Sequence, residues 1–148
     1  MRLIILILFF SFLCGTNVPF KVGESLNYKA SFSGIGAATL GTGRLEVLGI
    51  ETINNVSTYH VRFSANTHGV ANFLFPIRDM IDLWLDENSL VPIRVKKNIS
   101  EGEYEEKSVS NLSQNQGFAI VRNDTISMGM GTHSPYSLFY FFRNKNLS

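Results

Sequence analysis

The stretch FPIRDMIDLWLDENSLVPIR, residues 75–94, sets four acidic side chains and the chain's single tryptophan among apolar residues. Paired carboxylates are the groups that glycosidases place on either side of a glycosidic bond. In an extended strand, Asp82 and Asp86 would share one face but stand about 13 Å apart, at roughly 3.3 Å per residue. That separation is too large for the usual pair. We therefore interpret the acidic residues as the solvated outer face of a sheet, where charge resists edge-to-edge aggregation.

Other catalytic or ligating patterns are weaker still. His60, His68 and His133 have no metal-type spacing, and no serine lies in a G-x-S-x-G elbow. The glycine-rich stretch GIGAATLGTG, residues 34–43, is not followed by a helix N-terminus that could hold a phosphate. The sequence therefore predicts no catalytic residue, no metal site and no cofactor, and we expect a protein that is not an enzyme.

The first residues have the three-part layout of a secretory signal peptide. Arg2 precedes an apolar run over residues 3–13, and the small residues Gly15 and Thr16 follow Cys14. A membrane-spanning helix needs roughly 20 apolar residues, so export with cleavage is favoured over anchoring. We predict a signal peptide over residues 1–15 and a location in the periplasm or cell envelope. If Cys14 is instead retained and acylated, the protein is tethered to a membrane.

The charge balance excludes one class of partner. The chain has 13 Lys and Arg against 12 Asp and Glu, and loss of Arg2 with the leader brings the mature chain near neutrality. Nucleic-acid binding requires a basic footprint, so no nucleic-acid partner is expected. Near-neutrality also predicts no polybasic patch for anionic lipid head groups. Residues 16–148 are long enough for a single domain.

Alternation of apolar and polar residues dominates that domain. In ESLNYKASFSGI, residues 24–35, the apolar residues Leu26, Tyr28, Ala30 and Phe32 alternate with polar ones, the signature of a half-buried strand. The residues at 34–36 then supply a turn, and residues 57–66 and 80–86 alternate in the same way. Short strands with frequent turns predict a mainly β fold, a curved antiparallel sheet (an open or half barrel) built from hairpins.

Glycine and proline mark irregular points in this sheet. Gly41, Gly43 and Gly49 interrupt one predicted strand and indicate bends or bulges that curve the sheet. Pro92 cannot donate to a ladder, so its strand should lie at an edge or carry a bulge.

Two segments depart from the alternation. HGVANFLFPIR, residues 68–78, is too apolar for an ordinary loop, and we predict a short helical turn or lid there. SPYSLFYFFRNKN, residues 134–146, begins with Ser134 as a helix N-cap and Pro135 at the first helical position. Its aromatic residues surround the predicted helix, which should therefore be buried on all sides.

Trp84 raises the question of a ligand. It should project from the same strand face as Asp82, where it either belongs to a second layer of core or faces a pocket covered by the predicted lid. A curved sheet with an apolar concave face and an aromatic lid forms a plausible pocket for an apolar ligand. The predicted ligand-binding residues are Phe73, Phe75, Arg78, Asp79 and Trp84.

The order of short motifs resembles a family of exported bacterial proteins, the domain of unknown function 3108. The opening motif is matched by Phe20, Gly23, Glu24, Leu26, Tyr28, Gly34 and Ile35, the central one by Arg78, Asp79, Leu90 and Pro92, and the last by Ser137, Leu138, Tyr140 and Arg143. The resemblance implies a β-rich envelope protein, and we associate it with the curved sheet of the lipoprotein carriers LolA and LolB. It implies no catalytic residues. Family members continue beyond the aromatic helix, so we expect the domain to be C-terminally incomplete relative to its family.

Three functions follow as hypotheses. The first is binding of an apolar ligand, a lipid or acyl chain, by an exported non-enzymatic protein. The alternative is an envelope assembly protein that pairs with a protein partner through exposed sheet edges. The third, a hydrolase, ranks last because no nucleophile and base can be paired in the sequence.

Overall fold

Eight antiparallel strands form one open, curved sheet in which each strand lies beside its neighbours in the sequence. The computed structural model describes residues 18–32 and 38–145. The predicted leader with Cys14 and the turn at 34–36 lie outside these residues. The strands are β1 (Ser25–Phe32), β2 (Ala38–Ile53), β3 (Val56–Thr67), β4 (Arg78–Asp86), β5 (Pro92–Glu101), β6 (Tyr104–Ser113), β7 (Phe118–Val121) and β8 (Asp124–Ser127). Helix α1 (Gly69–Leu74) joins β3 to β4, and α2 (Pro135–Asn144) follows β8.

The predicted alternation is confirmed by the strand register. On β4, Ile81, Leu83 and Leu85 are buried, because they project towards α2 on what we call the inner face of the sheet. Asp82 and Trp84 project from the opposite, outer face. Apolar side chains of the neighbouring strands meet these core residues in register, with Leu83 opposite Val61 of β3. Burying one such side chain stabilises the fold by about 1.5–3 kcal/mol.

Three bulges bend the sheet at the positions that glycine and proline predicted. The β2–β3 register slips between Val47 and Gly49, and the β1–β2 register slips beside Gly41. The third slip lies between Arg94 and Pro92 on β5, which is an interior strand with a bulge. Each extra residue bends its strand and increases the local twist. The prediction of a curved antiparallel sheet is thereby confirmed.

Helix α2 begins as its sequence predicts but is less buried than expected. The Ser134 hydroxyl accepts a hydrogen bond from the backbone N–H of Ser137, whose side chain bonds back to the Ser134 N–H. Tyr140 is only 1% exposed and meets the ring of Phe20 edge-on at 5.0 Å. Phe142, however, is 52% exposed. The prediction of burial on all sides is wrong, because one sheet face covers only one side of a helix.

An ion pair fixes the end of α2 to the segment before β1. Both Nη atoms of Arg143 donate to the Glu24 carboxylate, with Nη2 and Oε2 3.0 Å apart. The Arg143 hydrogen bond holds the pKa of Glu24 below its usual range, although partial burial opposes this. This contact fixes the position of the helix over the core.

Helix α1 confirms the predicted helical turn between β3 and β4. It buries none of its residues, and Val70, Phe73 and Leu74 are 72%, 86% and 73% exposed. Neither helix in the described segments has the length and apolarity that crossing a bilayer requires.

Candidate functional site

A groove with an apolar floor lies on the inner face, beside the N-terminus of α2. We call it the inner groove, and its volume is about 380 Å³. The floor is formed by Ile81 and Leu83 of β4 and by Val95 and Ile99 of β5. Tyr136 of α2 forms one wall, where its ring packs against Phe63 at 4.8 Å. Pockets for small ligands are mostly apolar and measure about 300–1,000 Å³, so the inner groove lies at the lower end of that range.

One end of the inner groove is acidic. Asp79 and Glu101 line it together, and Asp79 accepts a hydrogen bond from the Ser100 N–H. The pKa of Glu101 is raised because its carboxyl group hydrogen-bonds to the Asp79 carboxylate, whose charge also repels a second negative charge. Burial raises the pKa of the Tyr136 hydroxyl, and the charges of Asp79 and Glu101 raise it further. Lys97 is the one cation in the lining.

The chain that follows α1 closes this acidic end. Ile77 bridges to Glu101, and the Gly102 N–H donates to the Pro76 carbonyl at 2.8 Å. Gly102 has a φ of +60°, and a Cβ atom there would lie 2.9 Å from Cε2 of Phe75. Glycine is therefore favoured at this turn by its backbone conformation, and a Cβ atom would also force the half-exposed Phe75 ring to shift. These contacts place the apolar α1 next to the acidic end of the inner groove.

Small residues leave further space on the inner face near β1. Ala30, Gly41, Gly43 and Ala65 line a shallow cleft of about 240 Å³. A Cβ atom on Gly41 would lie 2.9 Å from the Asn66 carbonyl oxygen, whereas one on Gly43 would make only ordinary contacts at 3.8 Å. Close backbone packing therefore accounts for Gly41, and Gly43 leaves space open.

The five residues predicted to bind a ligand do not meet in one cavity. Asp79 lines the inner groove, and Phe75 lies against the turn at its acidic end. Phe73 is 86% exposed on α1. Arg78 and Trp84 occupy even-numbered positions of β4 and so project from the outer face, opposite to Asp79.

Sequence reasoning missed several groove residues on β5, β6 and α2. Strict alternation along β5 places Lys97, Ile99 and Glu101 on the same face as the groove residue Val95. This period-2 signal was therefore available. The sequence contains no such signal for Tyr104 and Tyr136, because their place in the groove depends on how β6 and α2 pack.

A polar network surrounds Trp84 on the outer face, and it corrects the interpretation of a simply solvated surface. The Trp84 Nε1–H donates to Glu51 at 2.8 Å, and the His60 ring stacks on the indole at 4.5 Å. The two His60 nitrogens lie 2.7 Å from a Glu51 oxygen and 2.8 Å from Asp82 Oδ1. Arg62 Nε also donates to Asp82 Oδ1 at 2.8 Å.

Burial and ionisation in this network differ from the sequence interpretation. Asp82 is 5% exposed, so it is not the solvated group that was expected, and the side chain of its partner His60 is 13% exposed. Burial opposes ionisation of Asp82, but hydrogen bonds from Arg62 and His60 outweigh it and lower its pKa. The Trp84 hydrogen bond lowers the pKa of Glu51, with a further contribution from His60. Strand pairing therefore assembles a network around the ionised carboxylates of Asp82 and Glu51, at positions that alternation alone assigned to a solvated surface.

The acidic stretch consequently divides into three environments. Asp79 faces the inner groove, Asp82 belongs to the outer network, and Asp86 accepts hydrogen bonds from Asn88 and Ser89 in the β4–β5 turn. Both nitrogens of His60 face carboxylates, so neither is directed at a nucleophile. Within the described segments, no three His, Cys, Asp or Glu side chains are grouped to hold a metal ion.

Comparison with known proteins gives one match. A family model described as "Protein of unknown function (DUF3108)" matches residues 27–148, in agreement with the motif resemblance. No curated protein and no solved structure matches the chain significantly. The likeness to LolA and LolB therefore stays a prediction.

Proposed function

The chain belongs to the DUF3108 family, and from that premise we propose that it binds an apolar ligand, a lipid or acyl chain, in the inner groove. We place this binding in the periplasm or at the cell envelope, after export directed by residues 1–15. Acylation of Cys14 would tether the protein there. The proposal describes a binding protein and not an enzyme.

One observation carries this proposal: an apolar groove adjoins an exposed apolar helix. Val70, Phe73 and Leu74 of α1 face solvent, and such apolar patches commonly mark sites of interaction. The chain after α1 is bonded to the turn at the end of the groove. A bound acyl chain would contribute about 0.8 kcal/mol per buried methylene, so several methylenes suffice for useful affinity.

The charges at the acidic end constrain the polar end of the ligand. Asp79 and Glu101 already repel each other there, and a ligand carboxylate would add a third negative group. A head group that donates hydrogen bonds would be stabilised by the same oxygens. We therefore expect neutral or cationic amphiphiles in preference to free fatty acids.

Native mass spectrometry of the protein purified from the envelope tests this proposal. We expect a reproducible adduct of lipid mass, and Val95→Trp should abolish it by placing an indole in the groove floor. Val22→Trp is the matched control, because Val22 is 49% exposed and does not line the groove. Phe73→Asp should lower the adduct's occupancy with the fold intact. An adduct that persists in Val95→Trp would place the ligand elsewhere.

A second candidate function, pairing with a protein partner, is supported by a free strand edge. β7 pairs only with residues Ser110–Ser113 of β6, so within the described segments no strand neighbours Tyr104–Val109 on the side away from β5. Exposed edges accept an added strand through main-chain hydrogen bonds. A bare protein mass, together with one stoichiometric crosslinked partner that Val109→Pro removes, would favour this function over ligand binding.

A further inference from the structure

A second groove, on the outer face over β5 and β6, is lined by basic side chains. Its volume is about 570 Å³. Residues of the two strands stand opposite each other across it, Lys96 against Val109 and Asn98 against Lys107. Arg122, in the β7–β8 turn, completes the lining. We call this the basic groove. Most of its strand residues occupy outer-face positions, but Lys97, which also lines the inner groove, and Ser108 belong to its lining as well.

The cations of the basic groove are not neutralised by neighbouring acids. No residue in its lining is acidic, and Lys96, Lys107 and Arg122 form no salt bridge with any residue of the described segments. Asp82 stands opposite Lys96 in the register, but its Oδ1 already accepts from His60 and Arg62. Like charges held together repel, and a bound anion would relieve that repulsion.

One carboxylate, that of Glu106, lies close to two cations of the basic groove, Lys97 and Arg122. Glu106 projects from the inner face, where Ser108 and Tyr104 donate to it. The Ser108 hydrogen bond is the main cause of its lowered pKa, and the charges of Lys97 and Arg122 contribute less. The groove therefore keeps an excess of positive charge.

The lining of the groove also contains neutral amide donors. Arg94 Nε donates to Asn111 Oδ1 at 2.8 Å, which leaves the Asn111 amide N–H groups as donors for the groove it lines. The Arg94 guanidinium lies 5.9 Å from the centre of the Trp84 ring, next to the Asn111 side chain to which it donates. Guanidinium, ammonium and amide donors together suit the oxygens of a phosphate.

We propose that the basic groove binds a phosphate-type oxyanion, either a free phosphate compound or the phosphate of a lipid head group. The cluster of cations without salt bridges, together with the Asn111 amide in the same lining, carries this inference. It does not depend on the apolar ligand, because the two grooves share only Lys97 among their lining residues.

Titration of the purified protein with inorganic pyrophosphate, followed by NMR shifts of backbone amides, tests the proposal. We expect saturable shifts confined to β5, β6 and the β7–β8 turn. Replacing both Lys96 and Lys107 by Gln should weaken binding at least tenfold. Lys29→Gln is the matched control, since Lys29 is exposed at a distant position on β1. Flotation with phosphatidylcholine vesicles, with and without phosphatidylglycerol, tests the lipid source.

Each outcome of these two experiments either supports or overturns the proposal of a phosphate site. Saturable pyrophosphate binding that only the double variant loses supports a site for free phosphate compounds. Binding to anionic vesicles alone, lost in the same variant, supports a lipid head group. Absence of both kinds of binding, or an equal loss in Lys29→Gln, would overturn the proposal, because a general charge effect would then explain the result.

Discussion

Replacing Asp82 by Asn should reduce the free energy of unfolding by about 1–2 kcal/mol at pH 7. The Asp82 side chain is 7% exposed, and its Oδ1 accepts from His60 and Arg62 at 2.8 Å each. A hydrogen bond to a charged group contributes about 1.5–3 kcal/mol. The Asn oxygen can still accept, and Arg62 is 32% exposed and screened by water. Both facts reduce the loss of unfolding free energy that is expected for Asp82→Asn.

The effect of this substitution should depend on pH in a defined direction. The pKa of Asp82 is lowered in the folded protein: burial opposes this shift, but the bonds from Arg62 and His60 outweigh it. The unfolded chain therefore takes up a proton at higher pH than the folded one. The stabilisation is present above the ordinary aspartate pKa of about 3.9 and is lost as the pH falls through the lower folded value. Since Asn does not titrate, the difference between the two proteins should shrink in acid.

Urea unfolding at pH 7 and pH 3, followed by far-ultraviolet circular dichroism, measures this difference. Asp124→Asn is the matched control at an exposed position of β8, and it should change stability by less than about 0.5 kcal/mol. An Asp82→Asn protein as stable as wild type at pH 7 would refute the energetic role of the network. A difference of the same size at both pH values would refute the conclusion that Asp82 is ionised in the folded protein.

Two further substitutions test how the groove is built. Tyr140→Ala should cost about 3–5 kcal/mol in urea unfolding, because this 1% exposed ring fixes α2 to the core, whereas Phe142→Ala, at a 52% exposed position, should cost far less. Gly102→Ala should destabilise the fold more than Gly23→Ala. Both glycines have positive φ, but only at Gly102 does a Cβ atom meet Phe75, at 2.9 Å. Equal losses for the two glycine variants would mean that the Phe75 contact is unimportant.

Local patterns in the chain were sufficient to predict the elements of this fold. Alternation gave the inner and outer faces of β1 and β4, Ser134 and Pro135 gave the start of α2, and Pro92 gave the bulge of β5. Each of these signals depends on residues close together in sequence, where backbone sterics and hydrogen-bond capacity act directly. They also indicated an apolar inner face.

Only the tertiary structure decided which side chains are neighbours. Glu51, His60 and Asp82 meet because bulges and turns set the register of β2, β3 and β4, and Trp84 joins them on the outer face. The same pairing gathers cations into one groove, although the near-neutral overall charge had predicted no polybasic patch. The sequence determines which face a side chain occupies, since alternation is local. Its neighbours on that face depend on strand register, which is fixed by packing over the whole sheet.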